Sequence, residues 1–309
     1  MTVLVTGGVG YIGSRLIREL PDHPDYAGEE IRVLDNFRQP RFHSLWDLPA
    51  YADYEVVEGD IRDPEIREAA LEGVDTVFHL AAITNAPETF DIPEETWEVN
   101  HEAAVDLYDD AQAAGVSEFV NAVTCSVYGR TTKEIDESFE CEPESPYGEA
   151  KLAAEQEMFE RYDGEMGLAG LRLGTVYGWT TGMRFDTVVD KFAFLAATDQ
   201  PLTVYRGAED QKRPYLHVQD AVRSLMFAGA NLGDGEAYNV VGENGRLQDV
   251  IDAVVEHFPD VDVGYTEAEQ LNQLSYIVSD EKIREEGFET AYTMDQGVAE
   301  LADKFRALV

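Results

Sequence analysis

In the first half of the chain, short aliphatic and β-branched runs alternate with stretches whose apolar positions recur every three to four residues. This is the pattern of successive β-α-β units feeding a parallel sheet. Val3-Leu4-Val5 reads as the first strand and residues 11–20 as the helix after it. Strands are predicted at 31–34, 54–57 and 76–80, then a helix over 97–114, a strand at 118–123, a helix over 147–162 and a sixth strand at 169–173. That order is the doubly wound, Rossmann-type α/β arrangement. Beyond Gly178 the spacing loosens: helices are expected at 184–197, 218–228, 247–257 and 294–307, and strands at 202–205 and 237–241. No internal repeat or low-complexity linker interrupts the pattern. The reading divides the chain into a Rossmann domain over 1–174, to which 214–257 partly returns, and a smaller C-terminal α/β lobe from 175–213 and 258–309 that takes the substrate.

The 309 residues are 44% hydrophobic, enough for a substantial core. No apolar run approaches 18 residues, so no membrane span is expected. Met1 to Val5 lead straight into a glycine cluster without the regions of a secretory leader. Cys125 and Cys141 have no metal-ligand spacing and cannot form a disulfide framework. Reduced thiols and a cytoplasmic location are expected. Charge changes the picture more: 62 Asp and Glu stand against 23 Lys and Arg, for a net charge of -39, with only six lysines. The acids are spread evenly rather than gathered in a tail, which predicts a surface suited to concentrated salt and an extremely halophilic source. The same charge disfavours nucleic acid as a partner.

The first strand runs into Thr6-Gly7-Gly8-Val9-Gly10-Tyr11-Ile12-Gly13. Its glycines permit a tight turn, approach of backbone to a pyrophosphate, and packing of helix on sheet. Gly13 is followed by Ser14 and Arg15, so the segment is no nucleotide-triphosphate loop of the G-K-[ST] type. The second strand ends at Asp35, 22 residues after Gly13, where a carboxylate accepts both ribose hydroxyls of NAD and repels a 2′-phosphate. Arg38 and Arg41 are the nearby cations that would instead favour NADP. NAD is the cofactor expected.

Tyr147 and Lys151 are the only Tyr-x-x-x-Lys pair in the chain and fall at the start of the helix after the fifth strand. The spacing places them one turn apart on one face. A phenol titrates near 10, too high for a base at neutrality, and a neighbouring ammonium lowers it by favouring the phenolate. Thr124, at the end of the fifth strand, is placed to hold a substrate hydroxyl or keto oxygen. Taken singly, Tyr147 reads as a surface aromatic and Thr124 as a strand-end residue; beside the glycine loop they read as a catalytic set.

The glycine string, Gly59-Asp60-Ile61, Phe78-His79-Leu80-Ala81-Ala82, Val127-Tyr128-Gly129, Tyr147-Gly148-x-x-Lys151 and Arg213-x-x-x-His217-Val218-x-Asp220 resemble the extended short-chain dehydrogenase/reductases over almost the whole chain. Within them the chain is similar to the NAD-dependent nucleotide-sugar epimerase/dehydratase group. The resemblance implies cofactor contacts at Gly7, Gly10, Tyr11, Ile12, Gly13, Asp35, Asn36, Asp60, Ile61, Leu80, Ala81, Ala82, Asn100, Tyr147 and Lys151. It implies Thr124, Tyr147 and Lys151 as catalytic, with substrate contacts at Asn85, Ser126, Thr175, Arg184 and Arg213, the last on a substrate diphosphate. Members of this type pair through the helices predicted at 97–114 and 147–162, so a homodimer is expected. Three positions depart from the group. Dehydratases follow the catalytic Thr with Asp-Glu, where this chain has Cys125-Ser126; Thr175 replaces an asparagine; and a second phosphate-binding arginine is replaced near Asn272 to Ser275.

A nucleotide-sugar epimerase leads on these residues, oxidising a sugar carbon and reducing it again from the other face. A net dehydrogenase of an aldose or uronate uses the same residues. A non-catalytic dinucleotide sensor is disfavoured by the intact Tyr-x-x-x-Lys pair. No histidine has metal-ligand spacing, and there is no G-x-S-x-G elbow.

Overall fold

The computed structural model describes residues 1–131, 133–267 and 275–307. Seven strands, β1 Thr2–Thr6, β2 Glu30–Asp35, β3 Tyr54–Glu58, β4 Thr76–His79, β5 Glu118–Thr124, β6 Gly167–Leu173 and β7 Glu236–Val240, form one sheet in the order β7-β6-β5-β4-β1-β2-β3. Every pairing in it is parallel, with Val3 opposite both Ile31 and Thr76. The order reverses beside β1, and a crevice opens there between β1 and β4, where doubly wound sheets bind ligands. The main helices are α1 Gly13–Glu19, α2 Pro64–Leu71, α3 Ala103–Ala114, α4 Pro146–Arg161, α5 Val188–Ala197, α6 Val218–Asn231, α7 Leu247–His257 and α8 Met294–Arg306. Among the described residues no helix is long and apolar enough to cross a membrane.

Apolar side chains leave both faces of the sheet and are covered by helices, as a parallel sheet requires. On one face Leu16 and Ile17 of α1 and Leu225 of α6 pack with Val33 and Phe78. On the other, Leu71 of α2, Tyr108 of α3 and Met158 of α4 pack with Leu4, Val77 and Phe119. A third core joins α5, α7 and α8 to the parallel pair Leu202–Tyr205 and Val263–Thr266. After β6 the chain returns to the sheet with α6 and β7, while α7 packs with α5 and α8.

Two local departures from the expected elements have visible causes. Helix α2 was not expected; Asp63 caps it by accepting the Glu65 N–H at 3.0 Å, and Pro64 fills its first position. The helix expected over 97–114 is instead Pro93–Trp97, a π-helical turn Glu98–Glu102, and α3. The wide turn carries Asn100, fully buried, whose amide donates to the Ile83 carbonyl and accepts the Ile83 N–H, both at 2.8 Å.

Candidate active site

A cavity of about 580 Å³ opens at the carboxyl ends of the sheet strands. Its floor is the glycine turn. Gly7 has φ +68°, and a Cβ there would stand 2.7 Å from the Ala81 nitrogen. A Cβ at Gly13 would stand 2.4 Å from the Gly7 carbonyl oxygen. Side chains at these positions would push the turn off the Leu80–Ala81 backbone and off itself, and with it the backbone that a pyrophosphate must approach. Asp35 lines the cavity at the end of β2, its carboxylate accepting the Phe37 N–H at 2.9 Å and the Val9 N–H at 3.2 Å. Burial raises its pKa, and those two N–H donors act against the rise. Arg38 is held by Glu95 at 2.5 Å and by Glu88 at 3.5 Å, which withdraws it from a 2′-phosphate. Asn36 donates to Asp60, which Arg62 grips and holds far below the usual carboxyl range. Tyr11, Ile12, Ile61, Leu80, Ala81 and Ala82 complete walls of suitable shape. The residues present fit a dinucleotide with a free ribose.

Thr124, Tyr147 and Lys151 line the same cavity. Ser145 caps α4 by accepting the Gly148 N–H at 3.2 Å, and Pro146 opens the helix, which puts Tyr147 in the first turn and Lys151 one turn on. Thr124 ends β5, its hydroxyl accepting the Ser126 N–H at 3.1 Å and lying in hydrogen-bonding reach of the Tyr147 phenol. Burial raises the Tyr147 pKa, while the Arg184 charge and the Thr124 hydroxyl lower it. Lys151 is only 3% exposed, and burial brings its ammonium down to about 8. Burial thus moves the two pKa values apart, the phenol up and the ammonium down, and the Arg184 charge and the Thr124 hydroxyl are what favour the phenolate.

Asn85, Ser126, Thr175 and Arg184 line the cavity. Arg184 donates to Thr84 at 3.1 Å and stands 5.3 Å over the Tyr11 ring. Two candidates lie outside the lining. Asn100 hydrogen-bonds with Ile83, which lines the cavity, and Arg213 stands behind Tyr276, 6.0 Å from its ring centre. Tyr276 is a lining residue that no motif announced; its phenol hydrogen-bonds with Ser126 and Arg213. The segment expected to lack the second arginine lies outside the described residues at Asn272 to Leu274, with Ser275 described. Cys125 is buried, donates its thiol proton to the Arg172 carbonyl at 3.1 Å, and has its pKa pushed far up by burial. It is no acid-base group. Both cysteines are free, and no group of residues suited to a metal occurs among the described residues.

The glycine turn also touches the second lobe. The Tyr11 hydroxyl lies 2.7 Å from the Gly178 carbonyl oxygen and 2.8 Å from the carboxylate of Asp190 in α5. Asp190 also accepts the Gly178 N–H at 2.9 Å and the Thr187 hydroxyl at 3.2 Å.

The model of the NAD dependent epimerase/dehydratase family matches residues 3–241. The dTDP-D-glucose 4,6-dehydratase of Mus musculus is 28% identical over 321 residues, covering 98% of this chain and 88% of its own. The structure of the UDP-glucose 4-epimerase of Thermotoga maritima with UDP-glucose superposes with a TM-score of 0.89 at 26% identity, covering 100% of this chain and 99% of the other. That of MoeE5 with UDP-glucose and NAD does so with a TM-score of 0.87 at 27% identity, covering both chains completely. With the glycine turn, Asp35 and the Tyr147–Lys151 pair lining one cavity, the chain belongs to the NAD dependent epimerase/dehydratase family, and its cofactor is NAD.

Proposed function

We propose that the protein is a nucleotide-sugar epimerase working by transient oxidation of a sugar carbon and its re-reduction on the opposite face. The observation that carries the reading is the Thr124–Tyr147–Lys151 set beside the glycine turn, followed by Cys125 and Ser126 rather than a pair of carboxyls. NAD, when bound, takes up and returns a hydride. Tyr147 accepts the proton of the sugar hydroxyl as the carbonyl forms, and Thr124 holds that oxygen by hydrogen bond. The Arg184 charge and the Thr124 hydroxyl favour the phenolate, and Lys151 lies one turn on in the same helix. Elimination of water needs a further acid and base beside the sugar, and the thiol of Cys125, buried and high in pKa, supplies neither. Ser126 and Tyr276 line the same cavity with hydroxyls within reach of a bound sugar.

The test is a panel of nucleotide sugars incubated with the protein in concentrated potassium chloride, with products separated and NADH absorbance followed in parallel. Interconversion of two epimers with no net NADH is expected. Stoichiometric NADH with an oxidised sugar would establish the dehydrogenase instead, and a 4-keto-6-deoxy product would establish a dehydratase.

A further inference from the structure

Acidic residues so outnumber basic ones here, 62 to 23, that a guanidinium readily finds a carboxylate. Arg62, Arg67, Arg172 and Arg246 each hold one, and Arg18 is occupied by three backbone carbonyls. Arg41 differs. It lines the cavity, yet among the described residues it makes neither an ion pair nor a side-chain hydrogen bond. Its nearest charged neighbours are Arg184, Asp186 and Asp35, and burial together with the Arg184 charge lowers its pKa.

Arg184 reaches the same space from the second lobe, on the loop before α5. Its Nε is buried without a hydrogen-bond partner, 3.3 Å from an Asp186 oxygen. Tyr11 beneath it marks the glycine turn, and Asp35 beside Arg41 marks the ribose position. Two guanidiniums therefore face the stretch between ribose and glycine turn. Asp186 offsets part of the repulsion between these like charges, and an anion held between the two guanidiniums adds two further attractions. The group that matches is a diphosphate diester: two negative charges, with paired oxygens for the planar fork of each arginine.

We propose that Arg41 and Arg184 form a clamp on a diphosphate, one arm from the sheet domain and one from the second lobe. A bound dinucleotide then ties the two lobes together across its own pyrophosphate. The proposal rests on the cofactor and not on epimerisation. A nucleotide-sugar substrate carries the same diphosphate chemistry; the place of the pair, between Asp35 and Tyr11, favours the dinucleotide as the source.

The test is titration calorimetry of the full chain and of Arg41→Gln, Arg184→Gln and Arg41→Lys with ADP-ribose, adenosine, NADP and UDP, with thermal melts in parallel. Each glutamine variant should weaken ADP-ribose by roughly 10- to 100-fold, the loss of a charge-assisted contact, and leave adenosine unchanged. The ADP-ribose-induced rise in melting temperature should shrink accordingly, and Arg41→Lys should recover part of the affinity. Weakening of UDP with ADP-ribose unaffected would keep the clamp and assign it to the substrate's diphosphate. Unchanged binding of both, a loss shared equally by adenosine, or a loss confined to NADP would overturn it. In the last case Arg41 serves a 2′-phosphate.

Discussion

Asp190→Asn removes a buried charge while keeping most of the hydrogen bonds around it. The carboxyl accepts from Tyr11, Gly178 and Thr187, and burial raises its pKa to about 7, with those donors and Arg184 opposing the rise. An Asn amide nitrogen faces Tyr11 without conflict, because the Tyr11 hydroxyl can turn its proton to the Gly178 carbonyl at 2.7 Å. The folded-state pKa lies above the ordinary carboxyl value near 4. The folded protein therefore holds a proton that the unfolded chain releases first. Stability from this site is fully present below about pH 4 and is lost as pH rises from there through about 7. Each unit is about 1.4 kcal/mol, so raising the pH from 5 to 8 should cost the wild type about 2–3 kcal/mol that the variant does not lose. With an unfolding entropy of about 2 cal/mol/K per residue, this corresponds to roughly 3–5 °C in Tm for a chain of this length. The assay is calorimetric melting of both proteins from pH 5 to 8 in one concentration of potassium chloride. The other carboxyls titrate in both proteins, so the difference between the curves isolates Asp190. Parallel curves across that range would refute the reasoning.

Tyr147→Phe should retain NAD binding and lose 10²–10⁴-fold in kcat, the usual worth of a positioned proton transfer; a variant keeping more than a tenth of wild-type turnover would remove Tyr147 from the mechanism. Gly13→Ala drives a methyl against the Gly7 carbonyl, and should weaken NAD by about 1–3 kcal/mol, the common cost of overpacking; an unchanged Kd would show that the turn relaxes freely. Dilution from molar potassium chloride into dilute buffer should lower Tm, because the carboxylates spread over the surface repel as the Debye length grows. A Tm indifferent to salt would overturn the halophilic reading.

The central strands were legible because burial on both faces keeps a short run continuous, as at Thr76–His79, whereas the edge strand Tyr54–Glu58 is largely exposed and is marked by its β-branched residues alone. The glycine turn, Asp35 and the Tyr147–Lys151 pair were legible because their spacing is tied to one backbone geometry. What escaped depends on contacts distant in sequence. The π turn at Glu98–Glu102 accompanies the pairing of Asn100 with Ile83, and no periodicity announces that partner. The start of α5 was expected at Arg184 but lies at Val188, after the cap residue Thr187, whose hydroxyl bonds to Asp190. Arg184 is thereby left on a loop facing the cavity. Tyr276 lies beside Ser126 through contacts between segments far apart in the chain, among them its backbone N–H donating to the Lys212 carbonyl at 3.1 Å. Arg41 was visible as a nearby cation, but that it lines the cavity without an ion pair among the described residues is a property of the folded surface.

The late return of the chain to its sheet bears on how the protein is made. Strand β6 ends at Leu173, and the strand that covers its outer edge, β7, begins at Glu236. At the usual rate of synthesis the interval lasts roughly 3–12 seconds. Throughout it, β6 presents an unpaired edge carrying Leu168, Ala169, Leu171 and Leu173, all buried in the finished molecule. Helix α6, which covers one face of the sheet, is also absent for most of that time. An open parallel edge of this kind is a template for pairing with other chains, and its closure waits on a contact between distant segments, the slow kind to form. The nascent chain is most exposed to aggregation between the emergence of β6 and that of β7, so a ribosome stalled in this window displays the chain's most aggregation-prone form.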